Sequence, residues 1–588
     1  MQSEEEMIKM WRLSLPGGQP EANWITGYRD EVIRADEAYT DGELMRVSAA
    51  GFNAIWLGAD FSRLATTAIF PEFAPDAELH MKSLNRLIER AARHKLKIFL
   101  LLQLPAALPV ESTFWSDNPH LQHAQEEVCR GARGQEYRVR CLCSSMPQIK
   151  RYLYQLGADL AAKAPELGGI ILQTVADTPT HCWSWRGQKV DADEGIAVTR
   201  SKCPSCGSRT AAAVVSEIIR LVREGIRSSS DACKIIVWNR GWDFYEPIPS
   251  PGIISALPRD VILMLDWDYG RRRKSGRREI TVIENSMTSA APSEACIAAL
   301  ETAAAVGLEV MVKLQIGTSQ ELTTVPNLPV IPVLWEQVRF IRQFSLSGYM
   351  GCWDYGNMLS ANTHAFNWFL RDDAEEDGER ELAIFAHDYF PKCSAKGMLA
   401  GWQKLIDALE CYPATVDFIK FGPVNFPFIL PWISGPLLSG KVVGRSWVQE
   451  ERGDELNMAL KSMGLDDIIA QLEKVCVLWD EGVVLLEGAT ALCHHLRVTA
   501  EMNSVKVSGL AFHSALNFCK VYRLRRSWRS EMMTEYRQLA FNEVQILRQV
   551  LPLLDSDPRM GYHSGAGGYL YDAAGVRQQL AGLLHQLA

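Results

Sequence analysis

The tetrapeptide WDYG occurs twice, as Trp267-Asp268-Tyr269-Gly270 and as Trp353-Asp354-Tyr355-Gly356. Each copy closes a short apolar run, "DVILMLDWDYG" and "LSGYMGCWDYG". Other apolar runs end in related residues: "QTVADTPTHCWSW", "VWNRGWDFYE" and "KLQIGTSQE". The set gathers the indoles of Trp183, Trp238, Trp242, Trp267 and Trp353. Beside them stand the acids Asp177, Asp243, Asp266, Asp268, Asp354 and Glu321, with the amides Asn239 and Gln315. Sugar rings offer C–H faces that lie on indole and hydroxyls that need carboxylate and amide partners. Glycosidic cleavage uses two carboxyl groups about 5–9.5 Å apart. Carboxylates on different strand ends can meet that geometry, and Asp177, Asp268 and Glu321 are the expected catalytic residues. Trp238, Trp242, Asp243, Trp267, Gln315, Trp353 and Asp354 are expected to hold the sugar. As an acid, Asp177 would need its pKa raised by burial or by a second carboxylate. A plainer reading stands beside this one: a tryptophan at a strand end often packs as a lid, and an aspartate there often caps the next helix. Glu321 divides evenly between the two.

A second group has the spacing of metal ligands. Cys203 and Cys206 form a CxxC in "KCPSCGSR", Cys182 precedes them in "HCWSW", and the fourth ligand is Cys143 or His181. The expected set of Cys143, Cys182, Cys203 and Cys206 would make a closed, structural zinc site. A single CxxC is a weak signal, and free thiols or a redox pair are the alternatives. No cofactor is expected for catalysis. No histidine cluster stands at the strand ends, so a catalytic zinc would lack its ligands there.

These residues need a frame. Through the first two thirds of the chain, apolar runs alternate with amphipathic stretches. Strands are expected at 53–58, 97–105, 169–174, 234–239, 260–268, 308–315 and 347–353, with a first strand before residue 40 near "WRLSL" or "EVIRAD". Continuous apolar strands alternating with helices imply a parallel sheet covered on both faces. About eight such units predict a (β/α)8 TIM barrel, an α/β fold whose chemistry gathers where the strands end. A doubly wound sheet is the alternative, but no Gly-rich phosphate loop follows the first strands. The expected organisation is an N-terminal segment at 1–40, a catalytic barrel at 41–374 with a Cys-containing insertion at 178–209, and an all-helical C-terminal domain at 375–588. Both WDYG copies then close barrel strands, the sixth and the eighth.

Composition narrows the partners. A net charge of −9 over 588 residues argues against nucleic acid or an anionic membrane surface. The cluster "GRRRKSGRR" at 270–278 is a local exception, read as charge balance for Asp266 and Asp268 or as a site for an anion. No apolar run of membrane-spanning length occurs. The N-terminal "MQSEEEMIKMW" lacks the apolar core of a secretory leader, so the 14 cysteines are expected in a reduced cytoplasmic setting. The expected partner is a carbohydrate, and the helical domain leaves room for a homo-oligomer.

Several stretches carry a resemblance. "GYRDEVIRADEAYTDGELMRVSAAGFNAIWLG", "LNRLIERAARHKLKIFLLLQLP", "THCWS", "CPSC" and "KLQIGTSQELTTVPNLPV" resemble a group of bacterial proteins associated with the glycoside hydrolase family 20 (β-N-acetylhexosaminidase) superfamily. The resemblance covers roughly residues 25–360 and touches "DPRMGYHSGAGGYLYD" at 557–572. It implies a TIM-barrel, hexosaminidase-like, exo-acting glycoside hydrolase. Family 20 enzymes place an Asp-Glu pair at the end of the fourth strand. Here Ala176-Asp177 stand in that place, with Asp177 where the group carries glutamate. The second carboxylate of a substrate-assisted mechanism is missing. What remains is a two-carboxylate mechanism, with Asp177 as acid and Asp268 or Glu321 as its partner, or a carbohydrate-binding or regulatory protein with a catalytically degenerate barrel.

Overall fold

The computed structural model describes the chain except residues 1–6, 13–30, 34, 36–38, 106, 125, 131–135, 176–178, 185–200, 202, 277, 283–284, 438–439, 447 and 449–451. Eight parallel strands close into a barrel: β1 (Ile8–Trp11), β2 (Ala54–Ala59), β3 (Lys97–Gln103), β4 (Gly169–Gln173), β5 (Lys234–Trp238), β6 (Ile262–Asp266), β7 (Glu309–Lys313) and β8 (Gly348–Met350). They lie side by side in chain order, and β1 pairs with both β8 and β2, Met10 facing Met350 on one side and Ala54 on the other. This is the (β/α)8 barrel expected from the alternating pattern.

The strand sequences explain their place. Every residue of Ala54–Ala59 and Gly169–Gln173 is buried, which a parallel sheet covered on both faces requires. The first strand precedes "WRLSL" and overlaps it only at Trp11; Lys9 interrupts its apolar run and hides it from a periodicity argument. Its start is held by a side chain: Lys9 donates its N–H to Asn53 Oδ1 at 2.8 Å, and Asn53 Nδ2 donates to the Met7 carbonyl at 2.8 Å.

The helices Pro147–Lys163 and Ala211–Arg227, which precede β4 and β5, meet backbone to backbone. A Cβ on Gly225 would lie 2.1 Å from the Tyr154 carbonyl oxygen, and one on Gly157 would lie 2.4 Å from that of Val222. Between β3 and the first of these helices the chain builds a three-stranded antiparallel sheet from Ala107–Pro109, Glu126–Arg130 and Glu136–Cys141. Sequence periodicity did not point to it, because one strand has only three residues and the other two are rich in charge.

The chain forms two compact units. The first comprises Met1–Trp267, Glu294–Lys313 and Ser345–Met350 and contains the whole barrel. The second comprises Asp268–Ser293, Leu314–Phe344 and Gly351–Ala588, so residue 375 falls inside it. Its long helices, Ala395–Glu410, Leu465–Thr490, Leu496–Arg526 and Met533–Ser556, supply the helical region expected toward the C-terminus. Two of them approach through glycines: a Cβ on Gly401 would meet Leu486 Cγ at 2.5 Å, and one on Gly482 would meet Leu405 Cδ2 at 2.5 Å. Among the described residues, no helix is long and apolar enough to cross a membrane.

Candidate functional site

In a (β/α)8 barrel, chemistry belongs to the strand C-termini. Here β5, β6 and β7 end in Trp238, Asp266 and Lys313, and register sets Asp266 opposite Lys313. The Trp238 indole donates Nε1–H to Asp266 Oδ1 at 3.3 Å. Lys313 Nζ lies 4.0 Å from the same oxygen and 5.9 Å from the Trp238 ring centroid. Asn239 Oδ1 accepts the Asp266 N–H at 3.4 Å, and the Arg240 guanidinium stands 5.6 Å from the Trp238 ring. The Lys313 side chain is 1% exposed and that of Asp266 12%, so the carboxylate keeps an opening while its cation does not. A carboxylate oriented by an indole N–H and neutralised by a buried ammonium is equipped to act as a base, a nucleophile or a partner for sugar hydroxyls.

The neighbouring strand ends are also polar. Gln103 donates Nε2–H to Gln173 Oε1 at 3.1 Å, across β3 and β4. Trp242 donates its indole N–H to Thr174 Oγ1 at 3.0 Å, after a left-handed Gly241 (φ 76°) where a Cβ would sit 2.6 Å from Val175 Cγ1. After β1, Arg12 is ion-paired with Glu31 and stacks 4.4 Å over Trp56, while Glu31 Oε2 accepts the Gly58 N–H at 2.9 Å. Trp238, Trp242 and Trp267 are buried, and Asp243 is half-buried. Asp177 and Ala176 lie outside the described residues.

Asp268 and Glu321 belong to the second unit, where both are buried. Asp268 Oδ2 accepts the Ser286 N–H at 3.0 Å and the Ser289 hydroxyl at 2.7 Å, and its other oxygen pairs with Arg271. Glu321 accepts the Ser286 hydroxyl at 2.8 Å and the Met287 N–H at 3.2 Å, with Arg273 3.7 Å away. Burial pushes both carboxyls above their ordinary range, against the pull of these donors and of Arg271 and Arg273. The basic cluster thus forms a hairpin, Arg272–Ser275 with Arg278–Thr281, around which Arg271 and Arg273 reach these acids. This geometry favours the charge-balance reading of the cluster, with Asp268 rather than Asp266 as the neutralised acid.

The second WDYG copy is also held within the second unit. Gln315 Oε1 accepts the Trp353 N–H at 2.5 Å, while Gln315 Nε2 donates to the Thr318 and Tyr355 carbonyls at 2.9 and 3.2 Å. The Asp354 carbonyl accepts the Gly565 N–H at 2.9 Å and the Ser564 hydroxyl. Trp353 and Asp354 are half-buried. The two copies share their final residue for one reason: Gly270 and Gly356 both take positive φ, 80° and 65°.

The four expected cysteines converge. Their sulfurs all lie within 4.8 Å of one another, with Cys143 3.6 Å from both Cys203 and Cys206. The choice left open for the fourth position goes to Cys143, whose sulfur joins the other three, while His181 is not in the converging set.

Sequence reasoning missed Lys313 and the Arg12–Glu31 pair. Lys313 did leave a signal, since a lysine inside the strand run "EVMVKLQ" must either find an acid or not be buried.

No family model matches the sequence, and no curated protein matches it. Solved structures do. A GH138 enzyme targeting pectin rhamnogalacturonan II aligns with a TM-score of 0.53 at 11% identity, over 99% of this chain and 84% of that one. A family 89 glycoside hydrolase from Clostridium perfringens in complex with PUGNAc aligns with a TM-score of 0.52 at 9% identity, over 99% of this chain and 64% of that one. A variant from the same organism, in complex with its substrate GlcNAc-alpha-1,4-galactose, gives 0.50 at 10% identity. The chain spans slightly under two thirds of the family 89 enzyme. These structural neighbours are glycoside hydrolases, and at such identities the likeness shows the fold alone. They belong to families 138 and 89, and neither shows the expected tie to family 20.

Proposed function

We propose that the protein is an exo-acting glycoside hydrolase that removes a terminal sugar at the C-terminal ends of its barrel strands. The observation that carries this reading is Asp266: a partly open carboxylate at the end of β6, oriented by Trp238 and neutralised by Lys313. Asp177, four positions after the last residue of β4 in the sequence, is the proposed acid. Asp266 is its proposed partner, with Asp268 and Glu321 as alternatives whose oxygens are already engaged by the 286–289 segment. The partner carboxylate attacks the anomeric carbon or activates water, and the acid protonates the departing glycosidic oxygen. Glycoside hydrolases among the structural neighbours support the reaction class, and the N-acetylglucosaminyl ligand of the family 89 enzyme supports a hexosaminide as first choice.

The test is hydrolysis of a panel of aryl glycosides that includes α- and β-GlcNAc, β-GalNAc, hexosides and uronides. Turnover abolished by Asp177→Asn and Asp266→Asn supports the assignment. Turnover lost in Asp268→Asn or Glu321→Gln instead, with the fold intact, moves the partner role to that residue. The second reading is a carbohydrate-binding protein with a degenerate barrel, favoured by the burial and full engagement of Asp268 and Glu321. Saccharide binding by calorimetry, with no turnover of any panel member, selects it.

A further inference from the structure

Four sulfurs from three stretches of the barrel unit meet at one point. Cys143 follows the Glu136–Cys141 strand, Cys182 lies in the turn after β4, and Cys203 and Cys206 sit in the turn before the Ala211–Arg227 helix. Zn–S bonds of about 2.3 Å place the sulfurs of a tetrahedral site about 3.8 Å apart. Two edges here, from Cys143 to Cys203 and to Cys206, are both 3.6 Å, and all four atoms fall within 4.8 Å of one another. A disulfide would need about 2.05 Å.

We infer that Cys143, Cys182, Cys203 and Cys206 bind one structural zinc ion that ties the loop after β3 to the loop after β4. With four protein thiolates the site is closed, leaving no position for water or substrate, so the metal's role is to hold the loops. It does not depend on the glycosidase reading.

The surroundings fit a charged tetrathiolate. The Cys203 carbonyl accepts the N–H groups of Cys206 at 3.2 Å and Gly207 at 2.8 Å, which closes the CxxC turn. A Cβ on Gly207 would lie 2.9 Å from the Ser201 carbonyl oxygen. Arg209 donates to Ser145 Oγ at 3.0 Å, which leaves the Ser145 hydroxyl hydrogen for Cys206 Sγ at 3.1 Å. Arg209 is in turn held by Glu217 at 2.8 Å. Outer partners of this kind orient ligands and offset the negative charge of the cluster. Ser201 Oγ donates to the Cys182 carbonyl at 2.6 Å and accepts the Cys203 N–H at 3.2 Å, drawing the two ends of the excursion between them together. Two nearby residues lie outside this set of four: Cys141, whose Sγ faces Ser184 Oγ at 3.8 Å, and His181, whose Nδ1 accepts the Trp183 N–H at 3.1 Å.

The full chain, purified under reducing conditions without chelator, should carry one zinc per chain by elemental analysis, released when the thiols are titrated with a mercurial. Protein reconstituted with Co2+ should show the visible bands and near-ultraviolet sulfur-to-metal charge transfer of a tetrahedral tetrathiolate. Cys143→Ser and Cys206→Ser should lose the metal, while Cys141→Ser and His181→Gln keep it. Metal-free protein that takes up no Co2+, iron in place of zinc, or full zinc retention in Cys206→Ser would overturn the inference. Should the serine variants fail to fold, the cobalt spectrum of the unaltered chain decides: a spectrum without thiolate charge transfer overturns it.

Discussion

Asp268 and Glu321 are joined through a single residue, because Ser286 gives its backbone N–H to one carboxylate at 3.0 Å and its hydroxyl to the other at 2.8 Å. Two distant loop positions thereby hold one segment from two sides, inside a unit where neither acid reaches solvent.

Ser286→Ala should therefore cost about 1–3 kcal/mol of stability, since it strips a buried acceptor of its partner. The Ser286 hydroxyl opposes the burial that raises the Glu321 carboxyl, so its loss raises that carboxyl further. A carboxyl raised in the folded state binds its proton more tightly there, so stability falls as pH rises above its ordinary value of 4.5. Urea melts across pH should show a deficit in the variant that deepens toward neutral pH.

Glu543 gives a second pH signature. It is buried on the Met533–Ser556 helix, and burial raises its carboxyl to about 7, against the donors Ser514 at 2.6 Å and Asn517 at 3.2 Å. Folding takes up a proton between the ordinary value of 4.5 and about 7, so this contribution is whole below 4.5 and gone above about 7. The loss is on the order of 3 kcal/mol. Glu543→Gln should flatten that part of the stability–pH curve, as thermal melts at pH 5 and pH 8 would reveal.

At the barrel's strand ends, Asp266→Asn should lower kcat/KM on the aryl glycoside chosen by the panel by at least about 100-fold. Trp238→Phe keeps the ring but removes the N–H that orients Asp266. It should cost about tenfold, the worth of one hydrogen bond to a charged group. Equal rates for Trp238→Phe and the unaltered protein would show that this hydrogen bond does not matter to the reaction.

Gly225→Ala tests the close helix contact in the barrel unit. A methyl group 2.1 Å from the Tyr154 carbonyl oxygen must push backbone, not a flexible side chain. The expected cost is about 1–3 kcal/mol, read as a lower Tm, and Gly488→Ala, with nothing within 4 Å, should show no such drop.

Much of the fold was legible because seven strands are continuous apolar runs between amphipathic helices. The eighth, Ile8–Trp11, was hard to place because a lysine breaks a run of only four residues. The three short strands at 107–141 escaped notice because one is only three residues long and the other two are charged and carry no strong apolar period. The cysteine set was legible from the CxxC and its neighbours; what sequence cannot supply is which of Cys143 and His181 completes it, a matter of three-dimensional reach. Asp268 and Glu321 illustrate the harder case. A carboxylate at a strand end reads the same whether it faces substrate or binds its own loop, and only the partners Ser286, Ser289 and Met287 reveal the second use. Lys313 was legible in principle, as the one cation in the β7 run, but its meaning needed Asp266 across the ladder.

The hydroxyl of Ser564 reaches the Asp354 carbonyl across 210 positions of sequence. During synthesis, the turn that follows β8 must therefore leave the ribosome and wait while all those residues are added before its partner exists. A nascent chain halted anywhere in that interval would carry the second WDYG turn without this anchor.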